Sequence, residues 1–311
     1  MLKIVIISDS GGVMLRQFKG IKWINNIPNF VLYDYKNNFI EYKIVKGIIS
    51  IEKEGLKKCN GYYDLATHKY IACPNFNNSK SDNVKQCETC LNITGFNECL
   101  GCDGKYCRTT NSIAKKFCTQ KHVVYIALFG NNKFKVGTAA EYRKYIRILE
   151  QGAIASMFVA KTPDGKQARL IEHSISKLGY VLQVNSTFKM KNLIIDMERT
   201  EIENILKEHY NYIINGIPAA FKKCFIFPEI NYCEKMNKIN KSIFSPKEMQ
   251  LSLLDNKVQN TYNINYFLNY DSICGRIANV VGTFLVVKSK NTFLVFDTKE
   301  LEGYIVNIEL S

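Results

Sequence analysis

Eight of the eleven cysteines in this 311-residue chain fall between Cys59 and Cys118: Cys59, Cys73, Cys87, Cys90, Cys99, Cys102, Cys107 and Cys118. Two pairs stand as C-x2-C knuckles, Cys87–Cys90 and Cys99–Cys102. Two thiolates presented by one tight turn suit a tetrahedral metal ion, above all zinc, and eight thiolates match two four-cysteine sites. Such sites are closed to water, so the expected role is structural. The ions would supply folding energy to a segment too polar to build its own core. An iron–sulfur cluster and a disulfide framework are the competing readings, and the second needs an oxidising compartment. His68 and His122 lie close enough in sequence to replace a cysteine each. Cys224, Cys233 and Cys274 are dispersed, which predicts three small buried apolar side chains.

A second constellation follows the cysteines. Tyr125 sits inside the apolar run Val123–Phe129, and Lys135 occupies the next strand as K-V-G. Arg143 and Arg147 are four apart and share one helix face, with Glu150 almost one turn further. Glu172 stands beside the apolar stripe of Ile171, Ile175 and Leu178 on a second helix. A phenol, an amine, a guanidinium and a carboxylate brought together would suit phosphodiester cleavage. The carboxylate would hold a divalent cation (Mg or Mn), the cations would stabilise charge on phosphorus, and the phenol or amine would handle a proton. Each residue also has an ordinary structural reading: strand aromatic, surface ion pair, solvated carboxylate.

At these residues the sequence resembles the GIY-YIG nuclease superfamily. Val123-Val124-Tyr125 stands at the place of its first motif and Lys135-Val136-Gly137 at that of its second, followed by a helical Arg and a helical Glu. Val123 replaces the first motif's Gly and Lys135 the second motif's Tyr. The strings His122–Ala127, Lys135–Gly137, Arg147–Ala153 and Ala168–Glu172, placed after a cysteine-rich module, are similar to a prokaryotic family of unknown function with such a core. The resemblance implies a ββαβα fold and catalytic roles for Tyr125, Lys135, Arg147 and Glu172. Tyr125 would position or deprotonate the nucleophile, Arg147 would bind phosphate and Glu172 would bind metal.

The elements needed to position these residues can be traced in the pattern. Strands are expected at Val123–Phe129, Lys133–Thr138 and Ile154–Ala160, with helices between and after them. The second helix is capped by Asp164-Gly165 and ended by Gly179. The fold class is therefore α+β. A β-rich region spans 1–58, opening with a first strand and a turn at Ser10-Gly11-Gly12. The cysteine module spans 59–121, the ββαβα core and a following helix 122–230, a linker 231–262 and a small β unit 263–311.

Mean hydropathy is −0.14 and no apolar run approaches membrane-spanning length. A cytoplasmic protein is expected, and membrane partners are not. The formal charge is +14, and residues 105–147 hold ten basic residues against one acid, Glu141. A basic concentration of this kind points to nucleic acid, DNA or RNA, with Arg143, Lys115, Lys116, Lys121, Lys133 and Arg169 as candidate phosphate contacts. A Lys-rich solubilising surface is the plain alternative. Three function classes stay open: a nuclease, a non-catalytic RNA- or DNA-binding module, and a protein–protein adaptor. If six or more phosphates are contacted, oligonucleotide affinity should fall on the order of 1000-fold between about 50 and 200 mM salt. A fluorescence-anisotropy salt titration checks this; salt-insensitive binding, or none at low salt, would leave the adaptor.

Overall fold

The computed structural model describes residues 16–64, 69–75, 85–94, 96–193, 197–232, 263–267, 270–289 and 292–311. The expected first strand, the Ser10-Gly11-Gly12 turn, His68, Cys233 and nearly all of the 231–262 linker lie outside them. The described residues form a mixed α+β structure with three sheets.

Four strands open the chain: β1 (Arg16–Ile24), β2 (Ile27–Asp34), β3 (Phe39–Ile44) and β4 (Ile48–Glu54). The cysteine module follows with a small hairpin, β5 (Tyr62–Asp64) and β6 (Lys69–Ile71), and two short helices, α1 (Glu88–Thr94) and α2 (Ser112–Cys118). Then comes the expected ββαβα run: β7 (His122–Phe129), β8 (Lys133–Ala140), α3 (Lys144–Gln151), β9 (Ala155–Thr162) and α4 (Gly165–Ser176). Every residue of β7 is buried, because it is the inner strand between β8 and β9. Asn131 and Asn132 take left-handed φ values of 55° and 49° to turn the β7–β8 hairpin, which Asn tolerates better than most residues. Asp164 accepts a hydrogen bond from the Gln167 amide at 2.7 Å and caps α4 as its sequence predicts.

Beyond α4 lie α5 (Ser186–Lys191), α6 (Arg199–Gly216) and α7 (Ala219–Lys222). Next, β10 (Phe225–Tyr232) adds a fourth, edge strand to the site-bearing sheet, in the order β10-β9-β7-β8. The sequence reading has no strand there, and Pro228 lies within it. An edge position tolerates the missing donor.

The last strands are β11 (Asn263–Phe267), β12 (Ser272–Val281), β13 (Phe284–Ser289), β14 (Thr292–Asp297) and, after a 3-10 turn at Thr298–Leu301, β15 (Ile305–Leu310). They do not stand apart from the N-terminal strands. One nine-stranded sheet runs β11-β14-β13-β12-β4-β15-β1-β2-β3, so the two terminal β regions that the sequence reads as separate units are interleaved. Periodicity marks strands but is silent on partners 250 residues away. In β13 the side chains alternate between two cores. Phe284 and Val286 pack with the ββαβα unit, while Leu285 and Val287 pack with β1, β2 and β4. Burial on both faces explains the unbroken apolar run F-L-V-V.

The contact between the two halves is narrow where Gly152, at the end of α3, meets Gly282, in the β12–β13 turn. A Cβ on Gly282 would lie 2.9 Å from the Gly152 backbone nitrogen and 3.1 Å from the Glu150 carbonyl oxygen. Gly282→Ala should therefore cost the left-handed strain at φ +59°, about 1–2 kcal/mol, and a further loss from pushing α3 off the sheet. Gly55→Ala has similar strain at φ +67° and nothing within 4 Å, so it isolates the first part. Thermal unfolding should show the larger drop for Gly282→Ala; equal drops would deny the close docking.

Candidate functional site

Cys59, Cys73, Cys87 and Cys90 are all buried, and their sulfur atoms lie within 4.8 Å of one another. The Cys73 and Cys87 sulfurs are 3.7 Å apart. Four thiolates at about 2.3 Å from zinc place sulfurs about 3.8 Å apart, whereas a disulfide needs about 2 Å. The four residues fit a structural metal ion such as zinc. The amides of Cys87 and Gly61 donate to Cys59 Sγ at 3.1 and 3.4 Å, as ligating thiolates require. Without an ion, burial pushes the Cys59 and Cys90 thiols up.

Two residues far upstream in sequence complete this centre. Gln17, fully buried on β1, donates to the carbonyls of Lys58 at 3.1 Å, Cys59 at 3.2 Å and Gly303 at 3.0 Å. It thus ties the first ligand to the large sheet. Lys19 is brought near the Cys59, Cys73 and Cys90 thiols and under the Tyr70 ring at 4.7 Å. Burial lowers its ammonium to about 7 against the pull of those thiols. A four-thiolate zinc centre carries two net negative charges, and Lys19 is placed to offset one. Nothing in the spacing of the cysteines points to either residue.

The other four cysteines are arranged differently. Cys99, Cys102, Cys107 and Cys118 line one cavity of about 240 Å³, together with His122 and the arginines Arg108, Arg143, Arg147 and Arg169. Among the described residues only the first four cysteines approach to within ligand distance of one another. In the second set Cys107 is exposed and Cys99, Cys102 and Cys118 are half-buried. A Cβ on Gly165 would lie 3.2 Å from both Cys118 Sγ and His122 Nε2, which brings the histidine to the thiols. His122 Nδ1 donates to the Gln120 carbonyl at 2.8 Å, leaving Nε2 as the acceptor. Of the dispersed cysteines, Cys224 is buried as expected. Cys274 is not: it sits on the open face of β12 and is exposed.

The four catalytic candidates come together above β7 and β8. Tyr125 pairs with Gly137 across the hairpin, and a Cβ on Gly137 would lie 2.4 Å from the phenol oxygen. That glycine is the cradle of the tyrosine ring. Arg147 on α3, Glu172 on α4 and Arg169 all bear electrostatically on the phenol. Tyr125 is only 1% exposed, and burial raises its phenol above the ordinary value. It therefore stays protonated at neutral pH. Lys135, also buried, donates to Gln151 Oε1 at 2.8 Å. Burial, then the charge of Arg147, pulls its ammonium down to about 8. Glu172 is 7% exposed and pairs through Oε2 with Arg169 Nη1 at 2.6 Å.

Of the rival arginines, Arg143 is held by both oxygens of Glu150 at 2.8 and 3.0 Å, while Arg147 reaches that carboxylate only at 3.5 Å and bears electrostatically on Tyr125. Lys115, Lys116, Lys121 and Lys133 are exposed, whereas Arg169 is engaged by Glu172. Lys144 is spent on Glu229 of β10 at 2.9 Å. No described helix is long and apolar enough to cross a membrane.

A family model described as Protein of unknown function (DUF2797) matches residues 49–306. No curated protein and no solved structure matches the chain. The matched span holds all eight clustered cysteines and all four catalytic candidates.

The first thiol set should carry about one zinc per chain, measured by elemental analysis of protein purified without added metal. Cys90→Ser should remove that ion and lower the unfolding temperature by several degrees, since metal binding is coupled to folding. Full stability with no bound metal would rule the centre out.

Proposed function

This chain belongs to the DUF2797 family, and we propose that it hydrolyses phosphodiester bonds of nucleic acid at a GIY-YIG-like centre. The observation that carries this reading is the gathering of Tyr125, Lys135, Arg147 and Glu172 on one ββαβα sheet, beside an arginine-lined cavity. Arg147 binds the scissile phosphate. Lys135 takes the proton of the attacking water, because its amine is neutral in part at pH 8, whereas the phenol of Tyr125 is sealed and protonated. Tyr125 then positions Arg147. The water oxygen bonds to phosphorus, the bond to the leaving sugar oxygen breaks, and that oxygen takes a proton from solvent.

Glu172 would hold a divalent cation, Mg or Mn, which lends Lewis acidity at the leaving oxygen when bound. One carboxylate is enough when waters and substrate phosphate complete the shell. The second thiol set, with His122 beside Cys118, would hold a second structural zinc when the segment closes on it. That ion would fix Arg108 and one wall of the cavity.

One observation favours the binding module instead: the sealed Tyr125 and the tight Arg169–Glu172 pair leave the centre closed. Glu172→Gln separates the two. In an enzyme it should abolish Mg- or Mn-dependent cutting of a DNA or RNA panel while binding persists. Lys135→Arg should lower kcat/KM on the order of 100-fold or more. The wild-type kcat/KM should rise with pH through about 8, since the active amine is the deprotonated form. Absence of metal-dependent cleavage by the wild-type protein, with salt-dependent binding intact, would establish the binder.

A further inference from the structure

The cavity beside the second thiol set is walled by more than thiols. Four aromatic side chains, Phe96, Tyr106, Phe117 and His122, line it together with the arginines, against a single acid, Glu98. Phe117 stands edge-on to Phe96 at 5.6 Å and to His122 at 5.5 Å between ring centroids, so these three rings hold one another in place. Tyr106 differs: it is 78% exposed, and Arg108, two residues on, is exposed as well. The loop that carries both is pinned to α4. A Cβ on Gly104 would lie 2.4 Å from the Lys166 carbonyl oxygen and 2.8 Å from the Leu170 amide nitrogen.

The same cavity reaches the candidate centre. Arg147 and Arg169 line it, Arg147 bears on Tyr125 and Lys135, and Arg169 pairs with Glu172 at 2.6 Å. Its one acid, Glu98, accepts from the Thr110 amide at 3.1 Å. Contacts to phosphate alone need only a basic surface. A hollow of about 240 Å³ with aromatic walls, an exposed tyrosine at its mouth and arginines along one side suits a planar aromatic ring joined to a phosphate.

We infer that this cavity takes one unpaired nucleobase of the substrate strand, stacked at its mouth on Tyr106, with the attached phosphate lying along the arginines toward Arg147. The inference rests on the nucleic-acid reading for its ligand. It narrows that ligand to single-stranded nucleic acid, or to a duplex from which one base is turned out. A base inside a duplex has both faces covered by its neighbours and cannot enter. A zinc ion on the thiol wall would hold the loop that presents Tyr106 and Arg108. The plain alternative is that the hollow is only the metal pocket of the second thiol set.

Anisotropy titrations of the zinc-replete full chain with a labelled single strand, and with the duplex of the same sequence, test the pocket. The single strand should bind on the order of 10-fold tighter. Contact with phosphates alone predicts the reverse order, since a duplex carries the denser charge. Tyr106→Ala should remove the preference, and Tyr106→Phe, which keeps the ring, should retain it. Thr138→Phe, which fills the hollow from β8, should also remove it. Tyr106 is exposed, so its variants stay informative even if Thr138→Phe does not fold. Phe227→Ala, on the opposite edge strand β10 and 91% exposed, should leave the preference unchanged. A duplex bound as tightly as the single strand, or an undiminished preference in Tyr106→Ala, would overturn the base pocket and leave the nucleic-acid reading in place. A preference seen only in zinc-poor protein would assign the hollow to the metal instead. Failure to bind any oligonucleotide removes the nucleic-acid reading. Adenosine monophosphate bound more tightly than ribose 5-phosphate, in a Tyr106-dependent way, would then keep the pocket for a free nucleotide, and equal binding of the two would remove it.

Discussion

The strand Ile305–Leu310 lies between β4 and β1, and much of the molecule rests on that insertion. On one side it pairs with β4 along its whole length, from Ile305 opposite Glu54 to Leu310 opposite Ile49. On the other it meets the start of β1, where Gln17 reaches the carbonyls of Lys58, Cys59 and Gly303. A fully buried amide must find partners for its donors, and these three carbonyls set where the cysteine module begins. The first metal centre therefore depends on a pairing between the two ends of the chain.

The same sheet carries the other half of the molecule through its second face. Phe284, Val286, Phe293 and Val295 are shared with the core built by β7, β9, α4 and α6. Two glycines in contact, Gly152 and Gly282, let the end of α3 settle on the sheet. That end carries Gln151, on which Lys135 and Lys189 converge. The geometry of the candidate site is thus a product of docking between two cores.

The site is also where the structure departs most from what stability alone would choose. Most of the molecule satisfies local and global preferences together: capped helices, alternating faces, apolar inner strands. Above β8, by contrast, lysines and arginines crowd a desolvated region in which the buried carboxylate of Asp297 bears on Lys189. Burial lowers the ammonium groups of Lys135 and Lys189, because charge is penalised there. Local conflict of this kind is expected at sites shaped for a ligand.

Local pattern was enough for the ββαβα order, the Asp164 cap and the metal-binding potential of Cys59, Cys73, Cys87 and Cys90. Each of these follows from residue types at short spacing: period-2 and period-3.6 burial, a capping Asp and two-residue knuckles. Which cysteines share an ion needed the fold, since eight thiolates allow many partitions and only Cys59, Cys73, Cys87 and Cys90 converge to ligand distance. The fold also decided that Arg147 rather than Arg143 faces Tyr125, that Cys274 is exposed and that the phenol is sealed. Lys19 and Gln17 carried no signal at all. Their roles come from strand pairings across up to 290 residues, and such pairings are set by how two cores close on each other, which no local pattern encodes.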